Sequence, residues 1–383
     1  MQSYANLSVP ELESRLARFH ERVAQGMDGT PATKEWVRRA IHRQGDSRCP
    51  VWLNRISPNL IVRHGDALAD LYCRYPDHVI RIEPYDFGLG HQPPERVKRV
   101  NPVEIAFKDA EWEDEWGTRW SHSARSVGAT PVAEALTDWA QLDEYIAMRL
   151  PNPNAPGRFE VGERVLRRFG HSRYCFGAVI LTLFERLHSV RGLLNVFEDF
   201  YSNEAELRRL IEVLAGYALQ LIRRWAKLGA DAMFLTDDWG SQTGLLISPK
   251  MWRELFRPHY QTLFDEAHRL GMEVIFHTDG NVMAIIDDLV EIGLDVLDPL
   301  QPGAMDYRKV AGLYGGKVSF CGGIDLQHLL NRGTPAEIRA SVRDLKKTLG
   351  HPWGGGYIVS PSNRVGPEVP LANLEALFQA AHE

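Results

Sequence analysis

The chain has 383 residues, 44% hydrophobic and 25% charged, enough for one large core. Its 44 basic and 50 acidic residues give a net charge of -6 with no long basic run, which argues against a nucleic-acid groove. No segment approaches the roughly 20 apolar residues of a membrane span, and the first thirty residues carry no signal-peptide stretch, so a soluble cytoplasmic protein is expected.

The N-terminus opens with a capping box and an early proline, Ser8-Val9-Pro10-Glu11, followed by Leu12, Leu16, Phe19 and Val23 at helical spacing up to Gly26. A second helix is expected from about 32 to 43. Residues 1–45 therefore read as a helical extension and 46–383 as one barrel domain. Pro50-Val51-Trp52-Leu53 reads as the first buried strand and Val79-Ile80-Arg81-Ile82-Glu83 as the next. The aromatic and acidic run 112–120 predicts a hairpin or a pocket-lining loop, and the proline-rich stretch 150–158 a surface connector.

From there the pattern alternates. Strands are predicted over 178–184, 232–236, 274–277, 296–299, 318–321 and 357–360. Helices are predicted over 193–201, 204–228, 249–270, 282–292, 307–314 and 335–349, with Pro258 as a kink. Short strands separated by helices imply parallel βα units, and about eight of them favour a closed (β/α)8 TIM barrel with an N-terminal helical extension. There is no GxGxxG or Walker loop to favour an open sheet.

The strand ends carry the chemistry. Phe234-Leu235-Thr236 ends in Asp237-Asp238-Trp239-Gly240, and Val274-Ile275-Phe276 in His277-Thr278-Asp279-Gly280-Asn281. Val318-Ser319-Phe320 likewise ends in Cys321-Gly322-Gly323. Alternation puts His277 and Asp279 on one side, with Thr278 turned away. If Cys321 lies two strands round the barrel and reaches the same volume, His277, Asp279 and Cys321 form a nitrogen, oxygen and sulfur donor set suited to zinc. Each also has a structural reading: Cys321 as a core thiol, His277 as a hydrogen-bonded histidine, Asp279 as the N-cap of the helix near Val282.

Asp237 and Asp238 are acid-base candidates, of which only one can face inward while the strand continues; the other would cap a turn or be solvated. Trp112, Trp116 and Trp120 suit either a stacking platform or a face packed on the barrel. The four cysteines, Cys49, Cys73, Cys175 and Cys321, form no CxxC and read as reduced thiols.

These residues together resemble the uroporphyrinogen decarboxylase superfamily. Asp237-Asp238-Trp239 with Leu246-Ile247-Ser248-Pro249 and Phe256-Arg257-Pro258-His259-Tyr260 is similar to its D-x-W…L-S-P…F…P-Y signature. His277-Thr278-Asp279-Gly280-Asn281, Asp298-Pro299-Leu300-Gln301 and Cys321-Gly322-Gly323-Ile324-Asp325 are similar to three later blocks. The likeness runs from about Thr33 onward and implies a TIM barrel.

The decarboxylase's arginine-rich loop is replaced here by Leu53-Asn54-Arg55-Ile56-Ser57-Pro58, with Arg55 and Arg63 the nearby cations. The resemblance therefore points to the cobalamin-dependent methyltransferase branch. It implies methyl transfer between a small methylated substrate and a corrinoid protein, assisted by zinc on His277, Cys321 and Asp279, although Asp279 stands where that branch has cysteine. Expected catalytic groups are Asp237, Asp238 and His277, and expected substrate contacts are Glu83, Trp116, Trp239, Asn281, Gln301 and Asn363. The alternatives are a decarboxylase of a small acid or a porphyrinogen, and a non-catalytic tetrapyrrole- or corrinoid-binding barrel.

Overall fold

The computed structural model describes residues 7–45, 48–82, 106–123 and 128–383. Its strands in chain order are β1 (Val79–Ile82), β2 (Ala110–Glu113), β3 (Arg119–His122), β4 (Thr130–Ala133), β5 (Tyr174–Val179), β6 (Ala232–Thr236), β7 (Glu273–His277), β8 (Val296–Leu300), β9 (Ser319–Ile324) and β10 (Tyr357–Pro361). Seven of them run parallel in the order β1-β5-β6-β7-β8-β9-β10.

Residues 50–53 join the two ends of this sheet. Val51 bridges Val359 of β10, and the Trp52 N–H donates to the Val359 carbonyl at 3.0 Å. On the other side the His78 N–H donates to the Val51 carbonyl at 3.0 Å, just before β1. The segment expected as the first strand thus closes the ring as its eighth member, and the fold is an α/β TIM barrel.

Strands β5 to β10 are buried on both faces, as a parallel sheet enclosed by helices requires. Trp52, Val79, Phe176, Phe234, Ile275, Val296, Cys321 and Ile358 fill the barrel interior. Their sequence neighbours, such as Cys175, Met233, Leu235, Val274, Phe276, Phe320 and Val359, pack outward against the helices.

The N-terminal helices hold this frame. Ser8 and Glu11 form the expected capping box at the start of Val9–Asp28, which runs two residues past Gly26 and packs on the helix Pro58–Arg74. The helix Lys34–Ile41 inserts Val37 and Ile41 into the interior cluster and covers one end of the barrel. No described helix is long and apolar enough to cross a membrane.

Two departures from these expectations have physical causes, and one expectation is met with an addition. The strand expected over 178–184 is β5, four residues earlier, because Leu181 turns the chain at a positive φ of 56° and Phe184–Arg191 is helical. The single helix expected over 249–270 breaks at Phe256 into Pro249–Leu255 and Arg257–Arg269, with Pro258 in the first turn of the second, where a missing N–H costs nothing. The hairpin expected in 112–120 exists as β2 and β3, with Trp112 paired to Trp120, and β4 extends it to three strands.

Candidate active site

Strand parity decides which tips face the barrel axis. Phe234 is interior on β6, so Thr236 and Asp238 follow it inward and Asp237 faces out. Ile275 on β7 sends His277 and Asp279 inward, and Val296 on β8 sends Asp298 inward. Register sets His277 level with Asp298.

The outward Asp237 is fully buried, and its carboxylate is used up by backbone. It accepts from the N–H groups of Leu183 at 2.9 Å, Phe184 at 2.8 Å and Glu185 at 2.6 Å, and from the Tyr260 hydroxyl. Those amides begin the helix Phe184–Arg191, where an acid meets the orphan N–H groups and the positive end of the dipole. Asp237, expected to be catalytic, is therefore a helix cap.

Asp238 and Asp279 are drawn together by the loops that follow β6 and β7. The Asp279 N–H donates to Asp238 Oδ1 at 2.8 Å, the Gly240 N–H to the Asp279 carbonyl at 3.1 Å, and the Asn281 N–H to the Ser241 carbonyl at 2.7 Å. The crossing needs glycine on both loops: a Cβ on Gly280, whose φ is 83°, would lie 2.3 Å from the Gly240 backbone.

The donor atoms of Asp238, His277 and Asp279 lie within 4.8 Å of one another, a group able to hold one metal ion. Asp279 Oδ2 accepts from Asn363 Nδ2 at 2.7 Å, whereas the buried Oδ1 has no hydrogen-bond partner. An orphaned carboxylate oxygen beside an imidazole and a second carboxylate fits a proton or a divalent cation. Burial, and then the nearby Asp238, push the Asp279 carboxyl up to about 6, against the attraction of His277.

Behind His277 stands a charged layer. His277 Nδ1 is 2.5 Å from Asp298 Oδ2, and Arg55 Nη1 donates to Asp298 Oδ1 at 2.6 Å. Burial would lower the His277 pKa, but contact with Asp298 outweighs it and the net shift is upward. Asp298, fully buried, is nonetheless held well below the usual carboxylate range, chiefly by Arg55 and then by His277.

Cys321 does not join the donor group. It lies on β9, on the far side of β8 from His277, and its thiol meets the Asp298 carboxylate instead. Burial, and then the charge of Asp298, raise its pKa well above normal, and it lies outside the group formed by Asp238, His277 and Asp279.

The other expected contacts divide. Asn363 reaches Asp279, and Gln301 Oε1 accepts from the Gly280 N–H at 2.7 Å; Asn281 Oδ1 accepts from the Met283 N–H at 3.2 Å in a local turn. Trp239 is fully buried, stacked 4.4 Å from Phe184 with its indole N–H on the Tyr260 hydroxyl. Trp116 is buried against Tyr217 and under the Arg186 guanidinium. Both tryptophans are buried in the core. Glu83 lies outside the described residues.

Two groups escaped the sequence reading as site residues. Asp298 was within a recognised block, and its parity with Val296 is the signal that points it inward. Glu185 had no such signal, since its place depends on the turn at Leu181 and the cap from Asp237. Burial, and then Asp238, Asp237 and Asp279, push its carboxyl well above the usual range.

Residues 141–383 match the family model for uroporphyrinogen decarboxylase (URO-D). A uroporphyrinogen decarboxylase of Thermus thermophilus is 28% identical over 193 residues, 50% of this chain and 53% of that protein. One from Pseudomonas paraeruginosa is 25% identical over 183 residues, 48% of this chain and 50% of that protein. The chain thus spans about half the length of the curated relatives it matches. A methyltransferase from Methanosarcina mazei shares the fold, with a TM-score of 0.66 at 14% identity over 92% of this chain and 98% of that one. Since the family model matches well over half of the sequence, the chain belongs to the uroporphyrinogen decarboxylase family.

Proposed function

We propose that this barrel is a methyltransferase that moves a methyl group between a small methylated substrate and the corrinoid of a partner protein, with a divalent cation at Asp238, His277 and Asp279. The observation that carries the reading is the acidic, cation-ready mouth. Asp238, His277 and Asp279 form a three-donor group with an orphaned Asp279 oxygen, and Glu185 is close enough to feel the charge of both aspartates. Such a mouth repels a polycarboxylate substrate and accepts a neutral or cationic methyl donor. Arg55, which could meet a substrate carboxylate, is already committed to Asp298.

A cation bound there, zinc being the expected one, would serve as a Lewis acid on the atom that carries the methyl group. Asp238 and Asp279 supply the negative charge that holds it, and His277 the nitrogen donor. Glu185, whose carboxyl is pushed well above the usual range by burial and its neighbours, would be the group to give a proton to the fragment that leaves as the methyl passes, as a methyl cation equivalent, to the corrinoid. Asn363 restrains the second Asp279 oxygen.

The test is incubation of the protein with free cob(I)alamin, standing in for the corrinoid protein, and methoxylated, methylamine and thiol donors. Formation of methylcobalamin, lost in His277→Ala, supports the reading; no methyl transfer from any donor overturns it. Metal content of chelator-free protein, expected near one zinc per chain, accompanies the assay.

A second reading, decarboxylation of a small acid, is favoured by the Asp279 carboxyl near 6 beside a histidine shifted upward, an acid pair poised near neutrality. Carbon dioxide release from a candidate acid, abolished by Asp238→Asn, would promote it.

A further inference from the structure

We infer that Asp298, pinned by Arg55, is a positioning residue that fixes His277 with its proton on Nδ1 and its Nε2 lone pair turned toward Asp238 and Asp279. The inference rests on His277 serving this site, as proposed above, but it is carried by contacts that the site does not use.

At 2.5 Å the His277 Nδ1 and Asp298 Oδ2 cannot face each other as two lone pairs, so a proton lies between them. Arg55 Nη2, 3.3 Å from the same nitrogen, has only N–H groups to offer and could bond there only to an Nδ1 lone pair, so it competes with Asp298 for this nitrogen; the Asp298 contact, shorter by 0.8 Å and to a carboxylate, takes the proton. With Nδ1 engaged, Nε2 is the ring nitrogen left to face the donor group.

Asp298 is held in place from both sides. It is fully buried, and its Oδ1 is held by Arg55 Nη1 at 2.6 Å. Arg55 is itself 7% exposed and lies over the Trp52 ring at 4.7 Å. The loop that carries it is anchored by Asp77, which accepts from the Leu53 N–H at 2.9 Å and the Asn54 N–H at 2.7 Å. The backbone fixes the strands as well: the Thr278 N–H donates to the Asp298 carbonyl at 2.8 Å. A carboxylate that takes the far N–H of a ligand imidazole sets its tautomer and raises its basicity as a donor. Arg55 then acts at one remove, by keeping the carboxylate in place.

Asp298→Asn makes a sharp test because its outcome can be reasoned atom by atom. Arg55 can only donate, so the amide oxygen must turn to Arg55 and the NH2 to His277. The amide then donates to Nδ1, moves the ring proton to Nε2 and closes the lone pair that faces the site.

The experiment is nitrogen-15 NMR of histidine-labelled, metal-free protein at alkaline pH, where the ring is neutral, together with titration by zinc and cobalt(II). The wild type is expected to show His277 as the Nδ1–H tautomer. Asp298→Asn is expected to show Nε2–H and to bind both ions about 10- to 100-fold more weakly. A wild type in the Nε2–H form overturns the inference, whether or not the variant folds. So does an Asp298→Asn protein whose tautomer and metal affinity match the wild type. The spectrum needs no substrate, so a failed methyl-transfer assay leaves this inference standing, and a successful one does not rescue it.

Discussion

The two ends of β6 and β7 carry the same chemistry to opposite effect. At the start of these strands Asp231 and Glu273 meet cations. Asp231 bonds to Lys34 and Arg38, each at 2.8 Å, and Glu273 to Arg38 at 3.2 Å, His42 at 3.0 Å and the Tyr174 hydroxyl at 3.0 Å. At the far end, Asp238, Asp279 and Glu185 face one another. Burial raises carboxylate pKa values at both ends: Glu273 ends below its usual value because His42 and Arg38 outweigh burial, Asp231 stays somewhat raised by burial despite Lys34 and Arg38, and Asp279 rises to about 6. Burial alone does not mark a functional acid; the partner does. The first end fastens the helix Lys34–Ile41 to the barrel, and the second leaves acids available for chemistry.

Mutations at the two ends should therefore fail in different ways. The largest effect is expected at the mouth: His277→Ala and Asp279→Asn should each lower the methyl-transfer rate by about 100- to 10,000-fold and remove bound metal, with each variant staying folded and melting no lower than metal-free wild type. Kinetics, metal analysis and thermal melts on the same samples check this. At the other end, Arg38→Ala should cost about 2 kcal/mol in urea unfolding. That is less than for a fully buried pair, because the Arg38 side chain is 31% exposed and Lys34 stays with Asp231. The folded fraction should keep its rate. If Arg38→Ala lost activity while keeping stability, the division between the ends would collapse.

That division was only half legible in the sequence. The barrel could be read because strands buried on both faces leave a continuous apolar signal and the helices between them are long. The tips of β6 and β7 could be read because polar residues end those runs abruptly. Which of Asp237 and Asp238 faces inward was decidable from parity with Phe234. What the sequence hid were contacts between distant segments: the amides of residues 183–185 that consume Asp237, and Arg55, which lies 243 positions from Asp298. Cys321 misled for a related reason. Alternation sends it inward, but only the packing reveals that β8 puts Asp298 between it and His277.

The pH dependence of stability should separate the ends more finely. Asp279 in metal-free protein has its folded pKa raised from 3.8 to about 6. The folded state thus binds that proton more tightly, and the stability it contributes is full below 3.8 and lost as pH rises through about 6. Glu273 has the opposite sign: depressed from 4.5, it contributes above that value and the contribution fades as pH falls through its lowered pKa. His42, raised from 6.5 by Glu273 despite its burial, contributes below 6.5 and loses that contribution as pH rises through its raised value. Unfolding of metal-free Asp279→Asn should show a flatter curve between about pH 4 and 6 and greater stability than wild type near pH 7. Glu273→Gln should instead flatten the limb below 4.5. Two variants with the same curve would erase the distinction.

The smallest effect is expected at Cys321, and it sharpens the boundary of the mouth. Its thiol meets Asp298 and lies outside the group formed by Asp238, His277 and Asp279. Burial, and then the charge of Asp298, raise its pKa well above normal. Cys321→Ala should therefore leave metal stoichiometry unchanged and hold the rate within about twofold, equivalent to a few tenths of a kcal/mol in the barrier. The stability cost should be about 1 kcal/mol for a small void in the interior layer. Metal analysis beside Asp298→Asn is the informative pairing. Loss of metal in Asp298→Asn alone would assign the role to the carboxylate that orients His277, while equal loss in both would restore sulfur to the donor set and move the edge of the site one strand further round the barrel.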